Sequence, residues 1–426
     1  MNGKAGEDGR NGFSGVDEPA GRTKFAARAF SKLKKAIVRS LQIPKKVDLP
    51  IYVKDIVGDI KQWDERDILF ARTDLFYYFG SDSPEYKAYY EAHPEYLEYD
   101  TRVNDLPGMG KTGGVDTPMF DAQFEVIAKI ASESFVDGEI APHKTEITSE
   151  HIARKVKALA RLFGADLVGI GPLRWEWVYS HVGRSFGNSE GFQKWGEPID
   201  LIHNTSAIVI GIQMDYNLIQ SAPDFPELLA TAKGYATGAW ISIQLAQYIR
   251  MLGFSARAHH LYNYRVLAVP VAVDCGLGEL SRAGFMITRK FGPALRLAVV
   301  TTDMPMVHDP PVDIGVQSFC ESCKICAENC PVGAIPVGEK VEFNGMRKWK
   351  LDEQKCFRYW HAAGTDCGLC MVSCPWTKPM NWFHKCMSLL ATVKGPHQSL
   401  MAKADKLFYG KFKGVPRPDF IDPFES

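Results

Sequence analysis

Two runs of cysteine, Cys320-x2-Cys323-x2-Cys326-x3-Cys330-Pro331 and Cys356-x10-Cys367-x2-Cys370-x3-Cys374-Pro375, constrain this chain more than any other feature. Three cysteines at successive two-residue intervals hold one 4Fe-4S cluster, and the fourth crosses to a neighbouring cluster. The second run is one ligand short and takes the donated cysteine. Cluster one is therefore assigned to Cys320, Cys323, Cys326 and Cys374, and cluster two to Cys356, Cys367, Cys370 and Cys330. Each Cys-Pro step ends a ligand loop, because proline fixes φ and supplies no backbone donor. Structural zinc also uses Cys-x2-Cys pairs, but it closes with four ligands around one ion and rarely stacks three at this interval. Ten cysteines in 426 residues is not the density of a disulfide scaffold. Cys275 and Cys386 are left over and are expected to be buried thiols. A chain with two clusters moves electrons.

The rest of the composition narrows the company such a wire keeps. Fifty basic and fifty acidic side chains cancel, so no global field draws the chain to nucleic acid. No apolar run is long enough for a membrane span, and no twin-arginine export signal is found, which predicts a cytoplasmic protein. One local bias stands out. From Arg22 to Lys46 there are nine Lys or Arg and no acid, with Phe25, Ala29, Leu33, Ile37 and Leu41 at helical spacing. This describes a basic amphipathic helix, packed on its own core or lying on a partner or a membrane surface.

Along the chain, residues 1–20 read as disordered, and 21–147 as an N-terminal wrapping region rich in aromatics and prolines with weak periodicity. Gly108-Met109-Gly110-Lys111-Thr112-Gly113-Gly114 lacks the Walker spacing and is not a phosphate loop. Regular structure begins at Thr148 or Ser149, either of which caps a helix with Ile152, Val156, Leu159 and Phe163 on one face and a stop at Gly164. Strands are predicted at 166–171, 206–214 and 295–302, with a long helix from Pro226 to Leu252 between the last two. The pattern is that of a three-layer α/β core over 148–310. An iron–sulfur domain follows over 311–385, and a C-terminal tail over 386–426 is expected to pack back on the core. No Gly-x-Gly-x-x-Gly joins a strand to a helix, so a nicotinamide or flavin of that type is not expected.

The double cysteine motif, the helix end Tyr248-Ile249-Arg250-Met251-Leu252-Gly253-Phe254-Ser255-Ala256, and Gly276-Leu277-Gly278-Glu279-Leu280-Ser281-Arg282 leading to Phe291-Gly292-Pro293 resemble the corrinoid-dependent reductive dehalogenases over about residues 150–385. The resemblance implies an α/β (α+β) fold: a nitroreductase-like three-layer cobalamin-binding core with a ferredoxin-like domain holding two 4Fe-4S clusters. It implies a base-off corrinoid, in keeping with the missing aspartate before His361 in Tyr359-Trp360-His361-Ala362-Ala363-Gly364. It also implies a tyrosine that delivers the proton replacing halide, matched to Tyr235, beside a cation matched to Lys290 or its neighbour Arg289. Trp360 is placed in the substrate pocket, and Asn263, His259 and His260 are placed as cofactor contacts. Without the resemblance, Tyr235 reads as a half-buried helix tyrosine and Trp360 as core packing. An organohalide substrate and an external donor such as ferredoxin or flavodoxin complete the expectation.

Three other functions fit parts of the pattern. Epoxyqueuosine reductases share the corrinoid and both clusters, but they carry an acidic proton donor where this chain reads Tyr235-Ala236-Thr237-Gly238-Ala239-Trp240-Ile241-Ser242, and their tRNA substrate rewards a basic surface. A simple electron carrier leaves the large core unexplained. A corrinoid-reactivating protein needs no buried proton donor, so Tyr235→Phe separates it from a dehalogenase.

Overall fold

In a computed structural model, residues 45–184, 194–379 and 381–417 are described, within one compact unit spanning Pro44–Ser426. The expected disordered end and almost all of the basic helix lie outside the described residues. Lys45 and Lys46, at its end, are instead a short strand paired antiparallel with Val312–Asp313.

The N-terminal region is more regular than its periodicity suggested. It folds into helices α1 (Leu69–Phe79), α2 (Pro84–Ala92), α3 (Pro94–Asn104) and α4 (Asp116–Ile130). Pro84 and Pro94 sit in the first turns of α2 and α3, where the missing N–H is harmless, so they start helices rather than break them. Ser83 caps α2 by accepting from Tyr86 N at 3.1 Å. Leu75, Tyr86, Tyr89 and Tyr90 then close a small aromatic core.

The core follows the predicted pattern closely. Helix α5 (Ser149–Leu162) is capped by the Thr148 side chain, and helix α6 (Phe225–Met251) by Asp224, which accepts from Phe225 N at 2.7 Å. Strands β1 (Leu167–Pro172), β2 (Ser206–Gln213), β3 (Ala256–His259) and β4 (Leu295–Thr302) form one antiparallel sheet in the order β1-β2-β4-β3. Alternation along β2 builds both faces. Ile208, Ile210 and Ile212 pack against α5 and α6 through Val156, Ile241 and Leu245. Ala207 and Val209 face a third layer made by the short helix Ala268–Asp274 and the segment around Trp177–Val182. Helix α6 presses hard on β4 because two of its residues lack a side chain. A Cβ on Gly234 would lie 2.8 Å from Arg296 Cγ, and one on Gly238 would lie 3.2 Å from Ala298 Cβ.

The cysteine segment is built from helix α7 (Val316–Cys323), a short turn of helix at Ile325–Asn329, helix α8 (Glu353–Ala363) and another short turn at Leu369–Val372. The chain then forms a helical hairpin, α9 (Trp382–Thr392) and α10 (His397–Tyr409), which packs on α7 through Ala391, Met401 and Ala402. The tail therefore covers the cysteines before it returns to the core. There Arg417 donates to both oxygens of Asp224, at 2.8 and 2.9 Å, and to Asp116 at 2.8 Å. Among the described residues no helix is long and apolar enough to cross a membrane.

Candidate redox and proton-delivery site

Left-handed turns aim the thiols inward. Lys324, between Cys323 and Cys326, has φ 58°, and Cys367 and Gly368 have φ 67° and 66°. Gly368 has a second reason to be glycine: a Cβ there would meet the Glu227 carboxyl at 2.7 Å. Cys330 Sγ accepts from Ala334 N at 3.2 Å, just past the Cys-Pro step. The thiols fall into two neighbourhoods. Burial raises Cys374 well above an ordinary thiol, and Cys323, Cys326 and Cys320 beside it raise it further. Burial likewise raises Cys370, helped by Cys367, Cys326, Cys356 and Cys330. Cys320, Cys323, Cys326 and Cys374 line one cavity with Phe319 and Trp376, and Cys370 reaches the same cavity from the second group. Burial pushes Cys320 and Cys367 up to about 12, and Cys326 and Cys356 up to about 11. Such thiols give up protons only to a centre that supplies positive charge, and iron does so. An apolar cavity walled by four thiols fits a 4Fe-4S cluster.

Beside the second group stands a polar cluster that links Cys367 to Tyr235. Tyr235 is half-buried on α6. The Arg296 guanidinium, on β4, sits 5.4 Å from its ring centroid. Arg296 also donates to Thr231 Oγ1 at 2.5 Å and to Asp366 Oδ2 at 3.2 Å, and the Thr231 hydroxyl donates to Asp366 Oδ2 at 2.7 Å. Burial works against the charge of Arg296, but Tyr235, Asp366, Glu227 and Tyr264 around it outweigh that and hold its pKa above the usual value. Glu227 is fully buried, and burial together with the Asp366 carboxylate raises it well above the carboxylate range. Tyr264 has committed its proton, donating to Leu297 O at 2.6 Å. The aromatic wall continues through Tyr262 to Arg184, whose guanidinium lies 5.3 Å from the Tyr262 ring and 5.0 Å from Phe70. Phe70 in turn lies 6.1 Å from Trp360.

The cation beside Tyr235 is therefore Arg296, which corrects the match to Lys290 or Arg289. Lys290 is exposed, its Nζ 4.3 Å from the ring of its own neighbour Phe291. Arg289 is half-buried in the same turn, where burial lowers its pKa. Arg296 had a legible signal: it is the one charge in the apolar run Leu295-Arg296-Leu297-Ala298-Val299-Val300, and a buried charge marks a partner. Trp360 is half-buried in a cluster with Phe70 and Phe357. Two of the three proposed cofactor contacts, Asn263 and His259, are spent inside the protein, whereas His260 keeps a buried Nε2 without a partner among the described residues. Asn263 donates to Ala131 O at 2.8 Å and Glu133 Oε1 at 3.0 Å, and accepts from Arg257 at 2.7 Å. His259 uses both ring nitrogens, with Thr301 Oγ1 at 2.9 Å and Arg265 N at 3.1 Å. His260 is buried, its Nδ1 3.1 Å from Leu261 O. Of the leftover cysteines, Cys275 is buried as expected, but Cys386 is exposed.

Residues 319–378 match the family described as a 4Fe-4S dicluster domain. The tetrachloroethene reductive dehalogenase of Sulfurospirillum multivorans is 34% identical over 288 residues, 61% of this chain and 57% of that protein. Over this shared stretch the chain is similar to the reductive dehalogenases. A second tetrachloroethene reductive dehalogenase, from Dehalobacter restrictus, is 32% identical over 313 residues, 64% of this chain and 56% of that protein. The solved structure of a catabolic reductive dehalogenase in complex with 3-bromo-4-hydroxybenzoic acid superposes with a TM-score of 0.69 at 25% identity, covering 87% of this chain and 49% of that one. The chain thus spans about half the length of the reductive dehalogenases it matches. The mixed α/β architecture with an iron–sulfur domain following the core is shared with that solved structure.

Proposed function

We propose that the chain is a reductive dehalogenase, an oxidoreductase that replaces a carbon–halogen bond by carbon–hydrogen, with two electrons and one proton consumed and halide released. The observation that carries the reading is the half-exposed Tyr235 with Arg296 against its ring, tied through Asp366 to Cys367. Tyr235 holds the proton at its Oη. Arg296 stabilises the phenolate left when that proton goes to carbon. Tyr264, with its proton committed to Leu297 O, is not the donor. The two cysteine sets hold the clusters in the crossed pairing and bring electrons to the same edge of α6.

A bound corrinoid supplies the strongly reducing cobalt centre for carbon–halogen cleavage. Its amide-fringed ring asks for donors and acceptors at its periphery. Gln220 Nε2 and Ser373 Oγ are buried polar atoms with no hydrogen-bond partner among the described residues, on segments bordering α6 and the second cysteine group, and they fit that demand. The organohalides named for the relatives, tetrachloroethene and 3-bromo-4-hydroxybenzoic acid, set the first substrates to try, and cytoplasmic placement is part of the same proposal.

Anaerobic reconstitution tests the frame. The expected content is about eight irons and about one cobalt per chain, with halide release from one of those substrates under a low-potential reductant. Zinc in place of iron, or iron without cobalt, removes the proposal. So does full turnover by Tyr235→Phe.

A further inference from the structure

The helical hairpin over the first cysteine group carries a surface that neither the core nor the chemistry at Tyr235 uses. From 378 to 417 the chain has eight Lys or Arg and a single acid, Asp405, in a protein whose charges balance over the whole chain. That acid is consumed, because it pairs with Lys378 at 3.1 Å. Lys403, Lys411 and Lys413 have no carboxylate partner among the described residues. Interleaved with these cations are exposed apolar side chains, Leu407 at 82% and Phe408 at 81%, with Trp382 at 73% and Leu400 at 68%. The other face of the hairpin packs directly on α7, which carries Cys320 and Cys323. One helix diameter, about 10 Å, separates this surface from the thiols.

We infer that the α9–α10 hairpin is the docking surface for a small acidic one-electron carrier protein, which delivers electrons to the cluster held by Cys320, Cys323, Cys326 and Cys374. The inference rests on the iron–sulfur reading of those cysteines. In each encounter the reduced carrier loses one electron and the cluster gains it, with no bond made or broken. Cations interleaved with exposed apolar side chains suit this occupant: charge steers the encounter, and the apolar side chains bury on contact. A lipid surface would also accept a cationic amphipathic face, but it brings no electron to the cysteines beneath.

The reconstituted full chain is mixed anaerobically with a reduced plant-type 2Fe-2S ferredoxin, and the bleaching of the 4Fe-4S absorbance is followed by stopped flow. The triple variant Lys403→Glu, Lys411→Glu, Lys413→Glu is expected to slow the second-order rate by about tenfold or more, and added salt to slow the unaltered protein likewise. Reduced methyl viologen, a small cation, should reduce both proteins at similar rates, which excludes a folding defect. Leu407→Ser with Phe408→Ser should slow the ferredoxin reaction while keeping its salt dependence. Equal ferredoxin rates in the triple variant and the unaltered protein overturn the docking surface. So does loss of binding to vesicles of phosphatidylserine and phosphatidylcholine with the ferredoxin rate intact. Iron content and absorbance measured before mixing separate the two readings: a chain that takes up no iron overturns the cluster reading and this inference with it.

Discussion

Arg296 and Arg257 are both arginines held in the protein by carboxylates, and their surroundings differ in how completely the hydrogen bonds close. Arg257 donates to Glu133 at 2.9 and 3.0 Å, to Asp137 at 3.2 Å and to Asn263 at 2.7 Å. Arg265 completes the set, reaching Glu133 and Glu65, each at 3.2 Å. Burial opposes the charge on Glu133, yet the Arg257 and Arg265 guanidiniums and Asn263 hold it well below the carboxylate range. Around Arg296 the books stay open. Nε is without a partner in both arginines, and the difference lies in the carboxylates: Glu227 and Asp366 face each other with no donor between them unless one carries a proton. A closed network of buried charge fixes a fold. An open one next to a half-exposed tyrosine keeps potential for a reacting group, which is where perturbed side chains gather.

The contrast can be broken by substitutions that should read differently on the two sides. The largest effect is expected at Tyr235→Phe, where turnover should fall by about 10²–10⁴-fold with iron, cobalt and melting temperature unchanged. A drop in melting temperature instead would make Tyr235 a structural residue. On the closed side, Glu133→Ala leaves two buried guanidiniums without their carboxylate and should destabilise the protein by about 3–5 kcal/mol in a denaturant titration. The same residue predicts a pH dependence. Its folded pKa is depressed, so its contribution is fully present above the unfolded value of roughly 4.3 and is lost as pH falls toward the folded one. Acid unfolding monitored by circular dichroism should therefore steepen below about pH 4 in the unaltered protein and flatten in Glu133→Gln. His259→Phe should lose about 1–3 kcal/mol and keep its cofactor content; loss of cobalt without loss of stability would return His259 to the cofactor. The smallest effect belongs to Lys290→Met, within about 0.5 kcal/mol and with no change in turnover.

The parts legible in the sequence were those with a period or a spacing. The cysteine runs, α5, α6 and three of the four strands in the sheet follow from interval arithmetic and capping residues, because local geometry fixes them. The strand Ala256–His259 was missed because it is four residues long and holds its place by pairing with Val299–Thr302, which no window on its own sequence reveals. His259 and Asn263 were placed as cofactor contacts by the resemblance, and polar residues in a loop after a helix are ambiguous until their partners are known. Those partners, Thr301, Arg265 and Glu133, come from distant segments. Arg296 was passed over for Lys290 because sequence neighbours were matched instead of faces: Arg296 reaches Tyr235 across the helix–strand gap that Gly234 leaves open.

Arg417 gives the far end of the described chain a task. Its grip on Asp224, the cap of α6, and on Asp116 works as a clasp that pulls the segment after the α9–α10 hairpin down onto the core. Opening that clasp would leave the cysteine groups roofed by a looser cover. Molecular oxygen, which the buried thiols and their clusters must be kept from, would then find its way in sooner, so the lifetime of the colour in air becomes a direct measure of how well the last turn of the chain is fastened.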